Sequence, residues 1–172
     1  DPAGVLGDEA VDYVVLGEGE RRFPSLLEKI ERGGLRALDE IDGVGYRKGR
    51  KLQITPVAQY LAALDTLPFP ARDLLDLDRY RVRQKRSTMI ITSRGCPQGC
   101  AYCSVHRVMG PVFRARSPEE VVREMAACRS IYGIHSFDIE DDNFTLDQGR
   151  ARRLLDLIHT TFGEGARDLS AM

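Results

Sequence analysis

Thr88-Met89-Ile90-Ile91-Thr92-Ser93-Arg94-Gly95-Cys96-Pro97-Gln98-Gly99-Cys100-Ala101-Tyr102-Cys103 is the stretch whose reading decides how the chain is organised. Its first six residues are β-branched, apolar or small, and predict a strand over 88–93. Three cysteines follow at once, spaced C-x3-C-x2-C. Thiolates are soft ligands that suit zinc and iron–sulfur clusters. No fourth cysteine lies in or near the loop, which leaves two chemistries. In one, Cys96, Cys100 and Cys103 hold three irons of a [4Fe–4S] cube and the fourth iron stays open. In the other, His106 completes a closed, tetrahedral Cys3His zinc site that stabilises a binding module without catalysis. Three unrelated free thiols within so short a loop are a poor account of the pattern.

C-terminal to this loop the pattern alternates. Ser117-Pro118-Glu119-Glu120 predicts a helix start, with Ser117 as cap and Glu120 completing a capping box. Val121, Val122, Met125, Cys128 and Tyr132 form its apolar stripe, and Gly133 ends it. His135–Glu140 predicts the next strand, and Asp141-Asp142-Asn143-Phe144-Thr145 the loop after it. A second helix opens at Leu146 or Asp147, with Leu154, Leu155 and Ile158 on its core face. A further strand begins near Met172. The order β-α-β-α-β predicts a parallel sheet. In such folds sites lie at the carboxyl ends of strands. The cysteine loop and Asp141–Asn143 should therefore sit side by side.

N-terminal to it, Val11–Leu16 reads as a buried strand, Gly17-Glu18-Gly19-Glu20 as a turn, and Phe23–Ile30 as a helix. Phe23, Leu26, Leu27 and Ile30 mark that helix's apolar face, and Gly33-Gly34 its stop. Val44–Lys48 and Lys51–Thr55 read as a hairpin around Gly49-Arg50. Pro56, Pro68 and Pro70 punctuate a connector, extended over Leu64–Pro70, whose leucines and Phe69 pack on a surface. No earlier strand is available to pair with Val11–Leu16.

The 172 residues carry a net charge of −1, with 42% hydrophobic and 30% charged side chains. That balance describes a globular chain with a real core and no basic field for nucleic acid. No apolar run approaches the ~20 residues that cross a bilayer. Four cysteines are too few for a disulfide scaffold and point to a reducing compartment, the cytoplasm.

The cysteine spacing, with aromatic Tyr102 before the last cysteine, resembles the radical S-adenosylmethionine superfamily. Thr92–Pro97 together with Asp141–Thr145 resembles its branch with an N-terminal cobalamin-binding domain. Val11–Glu20 is similar to the last strand and glycine loop of that domain, and Pro68-Phe69-Pro70-Ala71-Arg72-Asp73 to the interdomain linker. The resemblance implies an α/β fold of three parts. Residues 1–34 are a β-α remnant of a Rossmann-like cobalamin domain, 35–86 a hairpin and linker, and 87–172 the first two to three β/α units of a barrel.

It further implies that Cys96, Cys100 and Cys103 hold a [4Fe–4S] cluster, whose open iron chelates S-adenosylmethionine for reductive cleavage to a 5′-deoxyadenosyl radical. Tyr102 would meet the adenine by its backbone. Asp141 or Asp142 would bind the ammonium group, with Asn143 beside them. Gly17, Glu18, Gly19 and Glu20 would lie by the cobalamin tail. Methyl transfer is one implied outcome, and a flavodoxin or ferredoxin the implied electron donor. Such a chain is expected to be an internal fragment, inactive alone, with sheet edges left exposed.

Overall fold

The computed structural model describes residues 1–32, 35–82, 84–163 and 169–171. Two compact units emerge: Asp1–Ala62 with Gly99–Pro111, and Ala63–Gln98 with Val112–Met172.

The first unit contains helix α1 (Pro2–Leu6), strand β1 (Tyr13–Val15), helix α2 (Gly19–Glu31), strands β2 (Val44–Lys48) and β3 (Lys51–Ile54), and the short helix α3 (Val105–Val108). The hairpin forms as its sequence predicts. The expectation that the first strand lacks partners is overturned. β1 pairs antiparallel with β2, with Tyr13 opposite Tyr46 and Val15 opposite Val44, so that β1, β2 and β3 make one sheet. The hairpin thus supplies the hydrogen bonds that no earlier strand provides. Leu26, Leu38, Ile41, Val44 and Tyr46 form the core.

Gly45 is required where Leu6 of α1 packs on this sheet. A Cβ there would come within 2.7 Å of Val14 and 3.0 Å of Leu6. On α2 only Leu26 of the four expected apolar residues is buried, and Phe23, Leu27 and Ile30 are exposed. The buried face runs instead through Glu18, Arg22 and Leu26, one residue per turn. The Gly33-Gly34 stop lies outside the described residues.

The second unit contains strands β4 (Arg81–Val82), β5 (Lys85–Ile90), β6 (Ser93–Arg94) and β7 (Arg114–Ala115), helix α4 (Pro118–Tyr132), strand β8 (Ile134–Ile139), helix α5 (Gln148–Phe162) and strand β9 (Leu169–Ala171). The parallel sheet is present: β8 lies between β5 and β9, parallel to both, and β4 pairs antiparallel on β5. Ile90, Val121, Met125, Cys128, Ile134, Phe137, Leu154 and Ile158 form the core between the sheet and the helices. Leu155 is exposed, a correction to its expected place; Ala151, Leu154 and Ile158 supply the buried face of α5.

Helix ends follow their chemistry. The Ser117 side chain accepts from the Glu120 N–H, and Gly133 closes α4 in the left-handed conformation at φ 63°. The expected capping box is only half present. Asp65 accepts the Ser117 N–H at 3.0 Å, and the Glu120 carboxylate pairs with Arg123. The expected strand over 88–93 starts earlier and breaks after Ile90, with residues 93–94 pairing antiparallel to β7.

The connector packs as anticipated. Leu64 is buried, and the Phe69 ring lies under the guanidinium groups of Arg123 and Arg116, 5.1 and 5.9 Å from their carbons. Residues 64–66 form a 3-10 turn at the start of the segment expected to be extended. Arg72 is buried and pairs with buried Glu124 at 2.6 Å. Glu124 also receives Arg116, so a paired carboxylate sits inside the unit. Among the described residues no helix is long and apolar enough to cross a membrane.

The Tyr46 hydroxyl is buried and donates to Asp39 at 2.7 Å. Burial and then this carboxylate push its pKa up to about 12 from 10. The folded state therefore holds the proton more tightly than the unfolded chain. Its contribution is complete below pH 10 and is lost as pH rises toward about 12. Thermal melts across this range should show a falling midpoint that Tyr46→Phe flattens; an unaltered alkaline limb in the variant would contradict this account.

Candidate active site

At the carboxyl end of the parallel sheet, the loop after β8 reaches the chain that leaves β5. The Asp141 carboxylate accepts four hydrogen bonds. The Thr92 N–H and hydroxyl donate at 2.6 and 2.5 Å, and the Ser93 N–H and hydroxyl at 3.0 and 2.6 Å. This is the reason for the strand break after Ile90: two amides that a continuous strand would give to a ladder turn toward a carboxylate. Next in line, Asp142 accepts the Gly95 N–H at 2.7 Å, and Gly95 takes φ 79°, which its missing side chain permits. Asn143 then points its side-chain N–H at the Cys96 sulfur, 3.9 Å away. Three consecutive residues of one loop thus address Thr92 through Cys96 in order, and the juxtaposition expected from topology is present.

A third element joins from α5. Arg150 donates to the Thr92 carbonyl at 2.7 Å and to the Arg116 carbonyl at 3.0 Å. Its Nη1 is buried with no hydrogen-bond partner among the described residues. Burial pulls the Arg150 pKa down, against the charges of Asp141 and Asp147. No sequence pattern singles out Arg150, because its partners are backbone carbonyls distant in the chain.

The cysteines differ in setting. Cys96 is buried and belongs to the second unit; Cys100 and Cys103 are exposed and belong to the first. The Cys103 N–H donates to the Cys100 carbonyl at 3.1 Å, a turn that places two thiols on one short segment. None of the three is in a disulfide, and Tyr102 between Cys100 and Cys103 is 93% exposed. Among the described residues no three His, Cys, Asp or Glu side chains are gathered as a metal site, His106 included. Cys128 is core, and burial raises its thiol pKa.

The Gly17–Glu20 loop borders a pocket of about 70 Å³ lined by Glu18, Glu20, Arg22, Asp42, Tyr60 and Leu61. Gly17 has φ 66°, and a Cβ there would press on the Val108 carbonyl at 3.2 Å. Glu18 turns inward and accepts the Leu61 N–H at 2.7 Å. Arg22, also buried, donates to the carbonyls of Glu18, Asp42 and Gln59 and pairs with the Asp42 carboxylate at 2.6 Å. Burial opposes ionisation of Asp42, but Arg22 and the Ala58 and Gln59 amides prevail and hold its pKa below the ordinary value. Two of the four residues expected at a cofactor, Gly17 and Glu18, thus have structural duties. Glu20 is exposed.

Residues 90–165 match the profile described as the Radical SAM superfamily, and that segment belongs to it. The chain is 36% identical to an uncharacterized methyltransferase of Pyrococcus horikoshii, over 82% of this chain and 30% of that protein. It is 32% identical to the cytidylyl-2-hydroxyethylphosphonate methyltransferase of Streptomyces wedmorensis, over 89% of this chain and 34% of that protein. Its fold is similar to that of the radical S-adenosylmethionine methyltransferase TsrM from Kitasatospora setae, solved with cobalamin and a [4Fe–4S] cluster bound. The TM-score is 0.65 at 22% identity, over 94% of this chain and 33% of that one. The chain spans about a third of each of these proteins. The zinc-module alternative gains nothing from these likenesses.

Hydrogen bonds to a charged group contribute about 1.5–3 kcal/mol each, and removing a buried acceptor strands its donors. Asp141→Ala should therefore lower unfolding free energy by roughly 3 kcal/mol or more in urea titrations. Asp142→Ala, with one amide at stake, should cost less than half as much. Equal losses in the two variants would refute the four-donor assignment.

Proposed function

We propose that this chain carries the cluster-binding part of a radical S-adenosylmethionine enzyme that works with cobalamin and transfers a methyl group. The observation that carries the reading is the alignment of Asp141, Asp142 and Asn143 along Thr92–Cys96, at the sheet end where the superfamily match begins. The names of the two curated relatives support methyl transfer, and the cofactors bound in the similar structure support the cofactor set. In this reading the second unit is the opening of a (β/α) barrel, and the first unit includes the tail of a Rossmann-like cobalamin domain.

The donor set fits the cluster. Cys96, Cys100 and Cys103 are not tied up in disulfides, and thiolates are the ligands iron–sulfur clusters take. When bound, the cluster and S-adenosylmethionine supply one-electron cleavage to a 5′-deoxyadenosyl radical, and cobalamin supplies a methyl carrier. The chain's own residues bind and orient. Asn143 aims an N–H at the Cys96 sulfur, the kind of contact that tunes a cluster. Asp142, rather than Asp141, takes the ammonium group. Asp141 already receives four donors on two oxygens, whereas Asp142 is exposed and holds the Gly95 amide. A carboxylate facing an ammonium is a charge-assisted pair. Tyr102 offers its backbone to the adenine. Gly17 and Glu18 shape their loop from within, leaving Gly19 and exposed Glu20 to meet the cobalamin tail. A flavodoxin or ferredoxin delivers the electron, in the cytoplasm.

Anaerobic reconstitution of the intact polypeptide with iron and sulfide tests this. The wild type should turn brown, bind about four irons and, once reduced, convert S-adenosylmethionine to methionine and 5′-deoxyadenosine. Cys96→Ala, Cys100→Ala and Cys103→Ala should each abolish the colour, while His106→Ala keeps it. Asp142→Asn should weaken S-adenosylmethionine binding about tenfold at unchanged iron content. Colourless protein holding one zinc, lost with His106→Ala, would sink the reading.

A further inference from the structure

The loop that bears the cysteines, residues 95–113, leaves and re-enters the second unit through a stem of only two residue pairs. Ser93 lies opposite Ala115 and Arg94 opposite Arg114. Two pairs are a weak closure for a loop of this length, and short ladders fray. Just below the stem, the Arg116 N–H donates to the Thr92 carbonyl at 2.9 Å. The Arg150 guanidinium spans the same two strands from α5, with Nη2 on the Thr92 carbonyl and Nε on the Arg116 carbonyl. One side chain therefore holds the strand that enters the loop and the strand that leaves it.

Thr92 is gripped from two sides. Asp141 takes its N–H and hydroxyl, and Arg150 takes its carbonyl. Arg150 is itself fixed by its own backbone, whose N–H donates to the Asp147 cap of α5 at 2.9 Å. The guanidinium is used here for its shape. Two N–H groups in a rigid fork reach two carbonyls at once, which a single ammonium on a flexible stem does less well. The arrangement keeps a cation inside the unit on neutral carbonyls, with one nitrogen left without a partner among the described residues. Cys96 lies two residues beyond the stem, so whatever holds the stem holds Cys96.

We propose that Arg150 is a positioning residue that staples the base of the cysteine loop and fixes Cys96 at the end of the parallel sheet. The staple is read from geometry alone; its consequence for the cluster rests on the function proposed above.

Two measurements on the intact polypeptide separate these. In the metal-free protein, amide hydrogen exchange over 92–95 and 114–116 should quicken about tenfold in Arg150→Met and less in Arg150→Lys. It should stay unchanged in Arg153→Met, on the same helix as Arg150, whose exposed side chain pairs with exposed Glu119 of α4. In the reconstituted protein, Arg150→Met should release iron to a chelator several-fold faster. At equal iron content, it should also alter the paramagnetic resonance line shape of the reduced cluster with S-adenosylmethionine. Wild-type exchange in Arg150→Met overturns the staple. Faster exchange with unchanged iron release and line shape overturns the positioning role. If Arg150→Met does not fold, Arg150→Lys decides, and its exchange must exceed that of the wild type. A wild type that takes up no iron defeats the proposed function while the exchange result still judges the staple.

Discussion

A single carboxylate, that of Asp141, sets the geometry on which the second unit's functional end depends. It sits past the end of β8 and receives both amides and both hydroxyls of Thr92 and Ser93, past the end of β5. Parallel neighbours need long crossovers, and nothing in the backbone ladder ties their exiting loops together. Four donors on one anion do so. The same bonds end the strand, turn the chain toward β7, and leave Gly95 and Cys96 facing Asp142 and Asn143.

The rest of the second unit supports that junction. Arg150 takes the carbonyl side of Thr92, and Arg116 connects the stem to Glu124, which holds Arg72 of the connector. Buried charges of this kind are costly alone and become tolerable when each has a partner of good geometry. The first unit uses the same device. Arg22 gathers the carbonyls of Glu18, Asp42 and Gln59 and fixes the glycine loop from beneath. Its pocket of about 70 Å³ is far smaller than the ~300 Å³ at which ordinary ligand sites begin.

Much of this was legible in advance because it is local. Ser117, Pro118 and Gly133 mark α4 by capping chemistry, and Gly49-Arg50 marks the hairpin. Misreadings arose where a partner distant in sequence decided the outcome. The strand over 88–93 breaks because Asp141 competes for its amides. Glu120 gives up half of the capping box because Asp65 arrives first at Ser117. Phe23, Leu27 and Ile30 have helical spacing yet are exposed, because Arg22 occupies the face toward the core. β1 finds its partner in a hairpin that begins some thirty residues later.

By itself the sequence determined the alternation of strands and helices, the closeness of three thiols along one segment, and the placement of two loops at one sheet end. Those follow from periodicity, caps and spacing, which act within a few residues. Only the tertiary structure turned Asp141 to the amides and hydroxyls of Thr92 and Ser93 and left Asp142 exposed. It alone brought Arg150 to the base of the cysteine loop. Both outcomes depend on hydrogen bonds between groups some fifty residues apart, and no local pattern encodes which donor a buried carboxylate or guanidinium will meet.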